Sequence, residues 1–204
     1  MRIAILGGTF NPVHKGHLNI AAEVKSRFGY QQIVFVPANI PAHKKMEVDV
    51  GAVHRLKMLE LAVAEHSDFV VDDCELRRGG TSYTIDTVRE FSDTYPIEGK
   101  PGLIIGDDLV EDFKTWRDVD RLVELVELVI AHRRSRKDVA IDYPCLYVDN
   151  SLFPISSSQI REALYAEHTE PAEHAEDTVT GGKSVRSWLP APVFDYIQRH
   201  GLYV

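Results

Sequence analysis

Two periodicities alternate along the chain. Short runs rich in β-branched and aliphatic residues, Arg2–Leu6 ("RIAIL"), Gln32–Pro37 ("QIVFVP"), Phe69–Cys74, Gly102–Gly106 ("GLIIG"), Glu127–Arg133 and Cys145–Asp149, are bounded by turn residues. They predict strands, several of them buried on both faces. Between them lie longer segments with apolar residues at helical spacing: "HLNIAAEVKSRF", "AVHRLKMLELAVAEH" and "TIDTVREFSDTY". In the second of these, Val53, Leu56, Leu59 and Val63 predict one buried stripe. Strand, helix and strand repeated in this way predict an α/β architecture, a doubly wound parallel sheet with helices on both faces and right-handed crossovers. Such sheets take ligands at the carboxyl ends of their strands, near the point where the strand order reverses.

Size and composition narrow the classes. A chain of 204 residues has room for one domain with a substantial core, and 44% hydrophobic against 26% charged residues is the balance of a globular protein. A net charge of -8 gives no hint of an extended nucleic-acid surface, although a local basic cluster could still grip phosphates. Cys74 and Cys145 stand alone, without a C-x-x-C pattern, and predict buried thiols in a reducing compartment. The opening "MRIAILGG" is too short for a signal-peptide core, and no run of about 18 apolar residues follows it. A cytoplasmic protein without a membrane anchor is expected.

The densest chemistry lies in "GGTFNPVHKGHLNIA", Gly7 to Ala21. Gly7 and Gly8 close the first strand, where glycine lets backbone turn sharply and approach a ligand. Pro12 stiffens the loop, and a helix begins near Gly16 or His17. Its N-terminus offers unpaired N–H groups and a partial positive charge, a ready anion site. His14 and His17, three apart, can both face that anion and add donors. A glycine pair after a strand is often only a turn, and histidines at helix starts are often surface residues. The whole string says more. It resembles the "GGTFDPxHxGH" signature of nucleotidylyltransferases, with "HKGH" as the H-x-G-H motif and Asn11 where that family usually has aspartate.

The resemblance continues. "ISSSQIR", Ile155 to Arg161, combines a serine cap, hydroxyl donors and a guanidinium. By itself it reads as plain helix capping. Beside HKGH it resembles the family's "ISSTxIR" phosphate motif, with Ser158 for the usual threonine. "PAHKK" (Pro41 to Lys45), "SYTIDTV" (Ser82 to Val88), "IIGDDLVEDFKTW" (Ile104 to Trp116) and the closing "WLPAPVFDYIQRHGLY" are similar to blocks of nicotinate-nucleotide adenylyltransferases. Their Rossmann-like fold with a small C-terminal helical part agrees with the alternating pattern.

What the resemblance implies is a reaction between ATP and nicotinate mononucleotide that gives nicotinate adenine dinucleotide and pyrophosphate, in NAD synthesis. It implies an ATP site of Gly7, Gly8, Thr9, Phe10, His14, His17, Lys44, Gly106, Asp108, Ile155, Ser156, Ser157, Ser158 and Arg161. His17, His14 and Arg161 would act on the phosphates. It places the acceptor at Thr84, Trp116, Asp108, His43 and Lys44, with Asp108 on the nucleotide ribose. Mg²⁺ is expected to arrive with ATP, because no dedicated carboxylate cluster is visible. Pantetheine-phosphate adenylyltransferases share the first two motifs, and a nucleotide-binding regulator could share the fold. The SYTIDTV and FKTW blocks speak against the former, the intact phosphate motifs against the latter. "HRRSRK" (His132 to Lys137) lacks the family's Arg-Pro-Gly and takes no site role. Thr84 after Tyr83 also reads as a helix N-cap. The chain is expected to form a single domain, 1–204, interrupted by an acidic, flexible excursion over 166–182, with oligomeric state left open.

Overall fold

The computed structural model describes residues 1–43, 48–132, 140–151, 153, 155–169 and 184–204. Among these, β1 (Ile3–Gly8) leads to α1 (Lys15–Phe28), β2 (Gln32–Pro37), β3 (Ile40–Pro41), α2 (Ala52–Val63), β4 (Phe69–Val71), α3 (Cys74–Arg78), β5 (Thr81–Ser82) and α4 (Thr84–Thr94). The second half runs β6 (Gly102–Gly106), α5 (Val119–Leu125), β7 (Glu127–Ala131), β8 (Leu146–Val148), α6 (Ser157–Thr169) and α7 (Ala191–His200). Six strands form one parallel sheet in the order β4-β2-β1-β6-β7-β8.

Period-two alternation explains the two cores. Ile3 and Ile5 of β1, Val34 and Val36 of β2, Leu103 and Ile105 of β6, and Leu128 and Ile130 of β7 face one layer, closed by Ile85, Val88 and Phe91 of α4. Their neighbours Ala4, Leu6, Ile33, Phe35, Ile104 and Val129 face the other, against α1, α2, α6 and α7. Both faces of the central strands are therefore apolar, as a doubly covered parallel sheet requires. The strand order reverses between β1 and β6, so the loops after these two neighbours open toward one crevice.

Several sequence expectations shift. Strand β4 ends at Val71, and Cys74 opens α3 instead of closing the strand. The buried stripe of α2 is Arg55, Met58, Leu59, Ala62 and Val63, while Val53 is 78% exposed. The apolar side of that helix is completed by an arginine, which a hydropathy pattern cannot assign to a core. Cys74 is buried, and burial together with the nearby Asp72 pushes its thiol up to about 12. Cys145 is only half-buried. Helix α6 extends through Ala166–Thr169, and residues 170–182 of the expected excursion lie outside the described residues.

Arg55 ties the floor of the crevice together. Its Nη1 donates to the carbonyls of Thr9 (2.9 Å) and Ala38 (2.7 Å), and Nη2 to that of Asn39 (3.3 Å). Nε lies 3.3 Å from Asp49 Oδ1. One buried cation thus joins the ends of β1 and β2. Arg55→Met keeps the length of the stem but strands one buried and two part-buried carbonyls, so an unfolding penalty of about 3 kcal/mol is expected in urea denaturation. A change under about 1 kcal/mol would mean that water replaces the guanidinium without cost.

Candidate active site

The H-x-G-H stretch folds into a reciprocal cap. His14 is the N-cap of α1, and its Nδ1 accepts from the Gly16 N–H at 3.1 Å. His17, at the third helical position, returns the favour: its Nδ1 accepts from the His14 N–H at 3.2 Å. A main-chain N–H can only donate, so each ring is held with Nδ1 unprotonated and its proton on Nε2. These two main-chain bonds leave Nε2 as the nitrogen of each ring that can donate to a ligand. The ring centroids lie 3.8 Å apart, a spacing at which two imidazolium charges would repel. Glycine at position 16 is required by close approach: a Cβ there would lie 2.9 Å from both the His14 ring and Phe153. Phe10, buried, props the His17 ring edge-on at 5.1 Å.

These rings line a cleft of about 300 Å³ together with Asp108, Ile155 and Ser156. Asp108 follows β6 in a 3-10 turn, so the crevice takes its walls from both sides of the β1/β6 reversal. Gly16, Ile20, His132, Asn150, Ser151, Phe153 and Gln159 complete the lining, and of these only Gly16 and Gln159 belong to residue patterns with an expected site role. Asn150 exchanges two hydrogen bonds with the main chain of His132, at 2.7 and 2.9 Å, and so continues the β7–β8 pairing by one side chain. His132 Nδ1 lies 3.9 Å from Asp107 Oδ2, both side chains buried. Only spatial adjacency brings His132, Asn150, Ser151 and Phe153 to the cleft, whereas Gln159 stands within the ISSSQIR stretch.

The serine motif sits partly behind the loop instead of in the cleft. Ser156 and Gln159 form a capping box for α6, the Ser156 N–H donating to Gln159 Oε1 at 2.9 Å and the Gln159 N–H to Ser156 Oγ at 3.3 Å. Ser157 Oγ donates to the Pro12 carbonyl at 2.9 Å. Arg161 reaches the Asn11 carbonyl at 2.8 Å and Ser158 Oγ at 3.1 Å. Thr9 offers its carbonyl to Arg55, and a Cβ on Gly8 would press on the Phe10 ring at 3.2 Å, whereas one on Gly7 would meet open space. Gly106 is buried at the end of β6. Lys44 lies outside the described residues.

With this geometry in view, comparison with known proteins becomes informative. Residues 5–163 match the cytidylyltransferase-like family. A protein of Borreliella burgdorferi described as a probable nicotinate-nucleotide adenylyltransferase is 38% identical over all of this chain and 97% of its own. One of Streptococcus pneumoniae with the same description is 37% identical over 99% of this chain and 88% of its own. The chain belongs to the nicotinate-nucleotide adenylyltransferase family. Its fold is also that of the Plasmodium falciparum nicotinic acid mononucleotide adenylyltransferase complexed with NaAD (TM-score 0.72, 18% identity, covering 99% of this chain and 97% of that one).

In this member of the family a second, two-stranded sheet joins the segments that carry the expected acceptor residues His43 and Thr84. β3 and β5 pair in parallel, Ile40 opposite Thr81 and Pro41 opposite Ser82, and Asn39 reinforces the pair through Ser82 Oγ and the Gly80 carbonyl, both at 2.9 Å. Strands of two residues carry no periodicity, so the pattern along the chain could not announce them. Their pairing sets the segment that leads to His43 beside the segment that leads to Thr84. Thr84 is the first residue of α4 and Tyr83 the cap, which corrects the N-cap expectation; Tyr83 supplies no side-chain cap to the helix N–H groups. Trp116 packs on Phe113, and His43 stacks on the indole at 5.2 Å and 11°. The indole Nε1–H is buried without a hydrogen-bond partner among the described residues.

Proposed function

We infer that the chain transfers the adenylyl group of ATP to nicotinate mononucleotide. An oxygen of the mononucleotide's phosphate attacks the α-phosphorus, the bond to the β-phosphate bridging oxygen breaks, and pyrophosphate leaves. No protein nucleophile is needed, so catalysis rests on alignment and on donors aimed at developing charge. The observation that carries this reading is the pair of Nε2–H donors fixed by the α1 cap in a cleft shared with Asp108. In this reading His17 and His14 meet the phosphates, Asp108 the nucleotide ribose, and Ile155 and Ser156 line the ATP site. Arg161 and Ser157 brace the loop that carries the histidines. Gly7 to Phe10, Gly106, Ser158 and Lys44 complete the ATP side, and Thr84, Trp116, His43 and Lys44 the acceptor side.

Mg²⁺ enters as part of the ATP substrate and offsets triphosphate charge. Among the described residues no three His, Cys, Asp or Glu side chains converge to hold an ion, and no helix is long and apolar enough to cross a membrane.

The direct test is pyrophosphate release on mixing the protein with ATP, Mg²⁺ and nicotinate mononucleotide. Release with pantetheine phosphate in its place would move the protein to another branch of the superfamily. ATP binding with no release from either acceptor would make it a sensor. A second expectation concerns the acidic stretch after α6. Replacing residues 170–182 by a short Gly-Ser link should leave kcat and both KM values within about twofold, because closure entropy varies slowly with loop length. A large rise in one KM would assign the stretch to that substrate.

A further inference from the structure

The last-but-one residue of the chain reaches the first motif. Tyr203 is buried, and its hydroxyl donates to Asn11 Oδ1 at 2.6 Å across 192 positions of sequence. Burial raises the Tyr203 pKa, outweighing the nearby Arg161 and Arg55, so the phenol stays a donor. That donor settles the orientation of the Asn11 amide. With Oδ1 committed to Tyr203, Nδ2 faces the Val48 carbonyl and donates to it at 2.5 Å. The main-chain carbonyl of Asn11 takes Arg161, and the next carbonyl, of Pro12, takes Ser157. Four segments therefore meet at Asn11: the phosphate loop, the start of α6, the stretch before α2 and the C-terminus.

The chemistry of position 11 is now specific. An aspartate at position 11 could accept from Tyr203 as well as asparagine does. Its second oxygen would then face the Val48 carbonyl oxygen at the 2.5 Å now occupied by an N–H···O bond. Only a donor fits there. Val48 continues into Asp49, which pairs with the buried Arg55 beneath the loop, so a push at Val48 is transmitted to the crevice floor.

We propose that Tyr203 and Asn11 are positioning residues that latch the phosphate loop to the segment before α2, so that alignment of the two substrates depends on a hydrogen-bond chain from the C-terminus. This rests on the adenylyltransferase reading for its kinetic consequences and on the hydrogen bonds alone for its structural ones. The two links can be cut separately with little change of volume. Tyr203→Phe removes the hydroxyl and leaves the Val48 bond. Asn11→Asp leaves the hydroxyl its acceptor and removes the donor to Val48.

Each variant is expected to lower kcat about tenfold while the KM for ATP stays within about threefold, and the double variant should lose little more than the worse single one, as residues acting as one unit do. Asn11→Asp has a further signature: protonating the introduced carboxyl restores a donor toward Val48. Its deficit relative to the parent should therefore shrink only as pH falls from about 6 toward about 4, because the Tyr203 donor and the nearby Arg161 and Arg55 favour the ionised form, whereas that of Tyr203→Phe should not change. Amide hydrogen exchange supplies a readout without turnover. In Tyr203→Phe, peptides covering 10–18 should exchange at least tenfold faster while those of α4 keep parental protection. A parent that releases no pyrophosphate overturns the adenylyltransferase reading, and the exchange data still decide the latch. Parental exchange over 10–18 in Tyr203→Phe, or turnover within twofold of the parent in both variants, overturns the latch. If Asn11→Asp does not fold, Tyr203→Phe, which deletes one oxygen, decides alone.

Discussion

Replacing His17 by alanine should cut kcat by about 10²-fold or more and change the KM for ATP much less, as expected for a donor whose bond strengthens only as charge develops on the α-phosphate. The structure adds a complication that can be separated. His17 also caps the His14 N–H through Nδ1, and losing an N-terminal cap contact costs about 1 kcal/mol of stability. His17→Asn distinguishes the two roles, because a shorter amide oxygen can still accept from the His14 N–H but offers no donor at the position of Nε2. Both variants should lose turnover, and only His17→Ala should lose stability in urea. Turnover near the parental level in His17→Asn would reduce His17 to a cap and remove it from the chemistry.

Preference for nicotinate over nicotinamide mononucleotide should reach roughly 10² to 10⁴ in kcat/KM. The two acceptors differ by a carboxylate against a carboxamide on the same ring, so selectivity depends on whether the pocket presents donors alone. At the α4 start the cap residue contributes no side-chain acceptor, the Asp86 carboxylate of the first turn is paired with Arg117, and the Trp116 indole N–H is buried without a partner among the described residues. A carboxylate can accept from all of them, whereas an amide must turn its NH₂ toward a donor or leave one unmet. Each buried group left unsatisfied costs roughly 1–3 kcal/mol, and two such mismatches give the range stated. In the proposed pocket, stacking on Trp116 would serve both acceptors equally, so Trp116→Ala should raise KM for both, and Thr84→Val should mainly erode selectivity. His43 already stacks on one indole face, so a pyridine ring either uses the other face or displaces it. His43→Ala should therefore leave selectivity unchanged. Equal kcat/KM for the two mononucleotides in the parent enzyme would sink this account of the pocket.

Neighbours along the chain suffice to assign the strand faces and the histidine cap. Alternation in β1, β2, β6 and β7 assigns inner and outer faces, because successive side chains of a strand point opposite ways. The H-x-G-H cap closes within four residues, so its hydrogen bonds and the direction of both imidazoles are local consequences of the residue order, while Gly16 is also crowded by the distant Phe153. Tertiary structure decided everything that needs distant partners. Arg55 reads as a surface charge until three carbonyls from the ends of β1 and β2 converge on it. Ser157 and Arg161 read as phosphate ligands, and the fold also sets them against the Pro12 and Asn11 carbonyls across 145 and 150 residues, as it sets Tyr203 against Asn11 across 192. The β3–β5 pair and the Asn150 clasp on His132 likewise exist only because the sheet brings their segments within reach. A buried polar group must find a partner wherever packing places it, and packing is a property of the assembled layers, not of the spacing along any one of them.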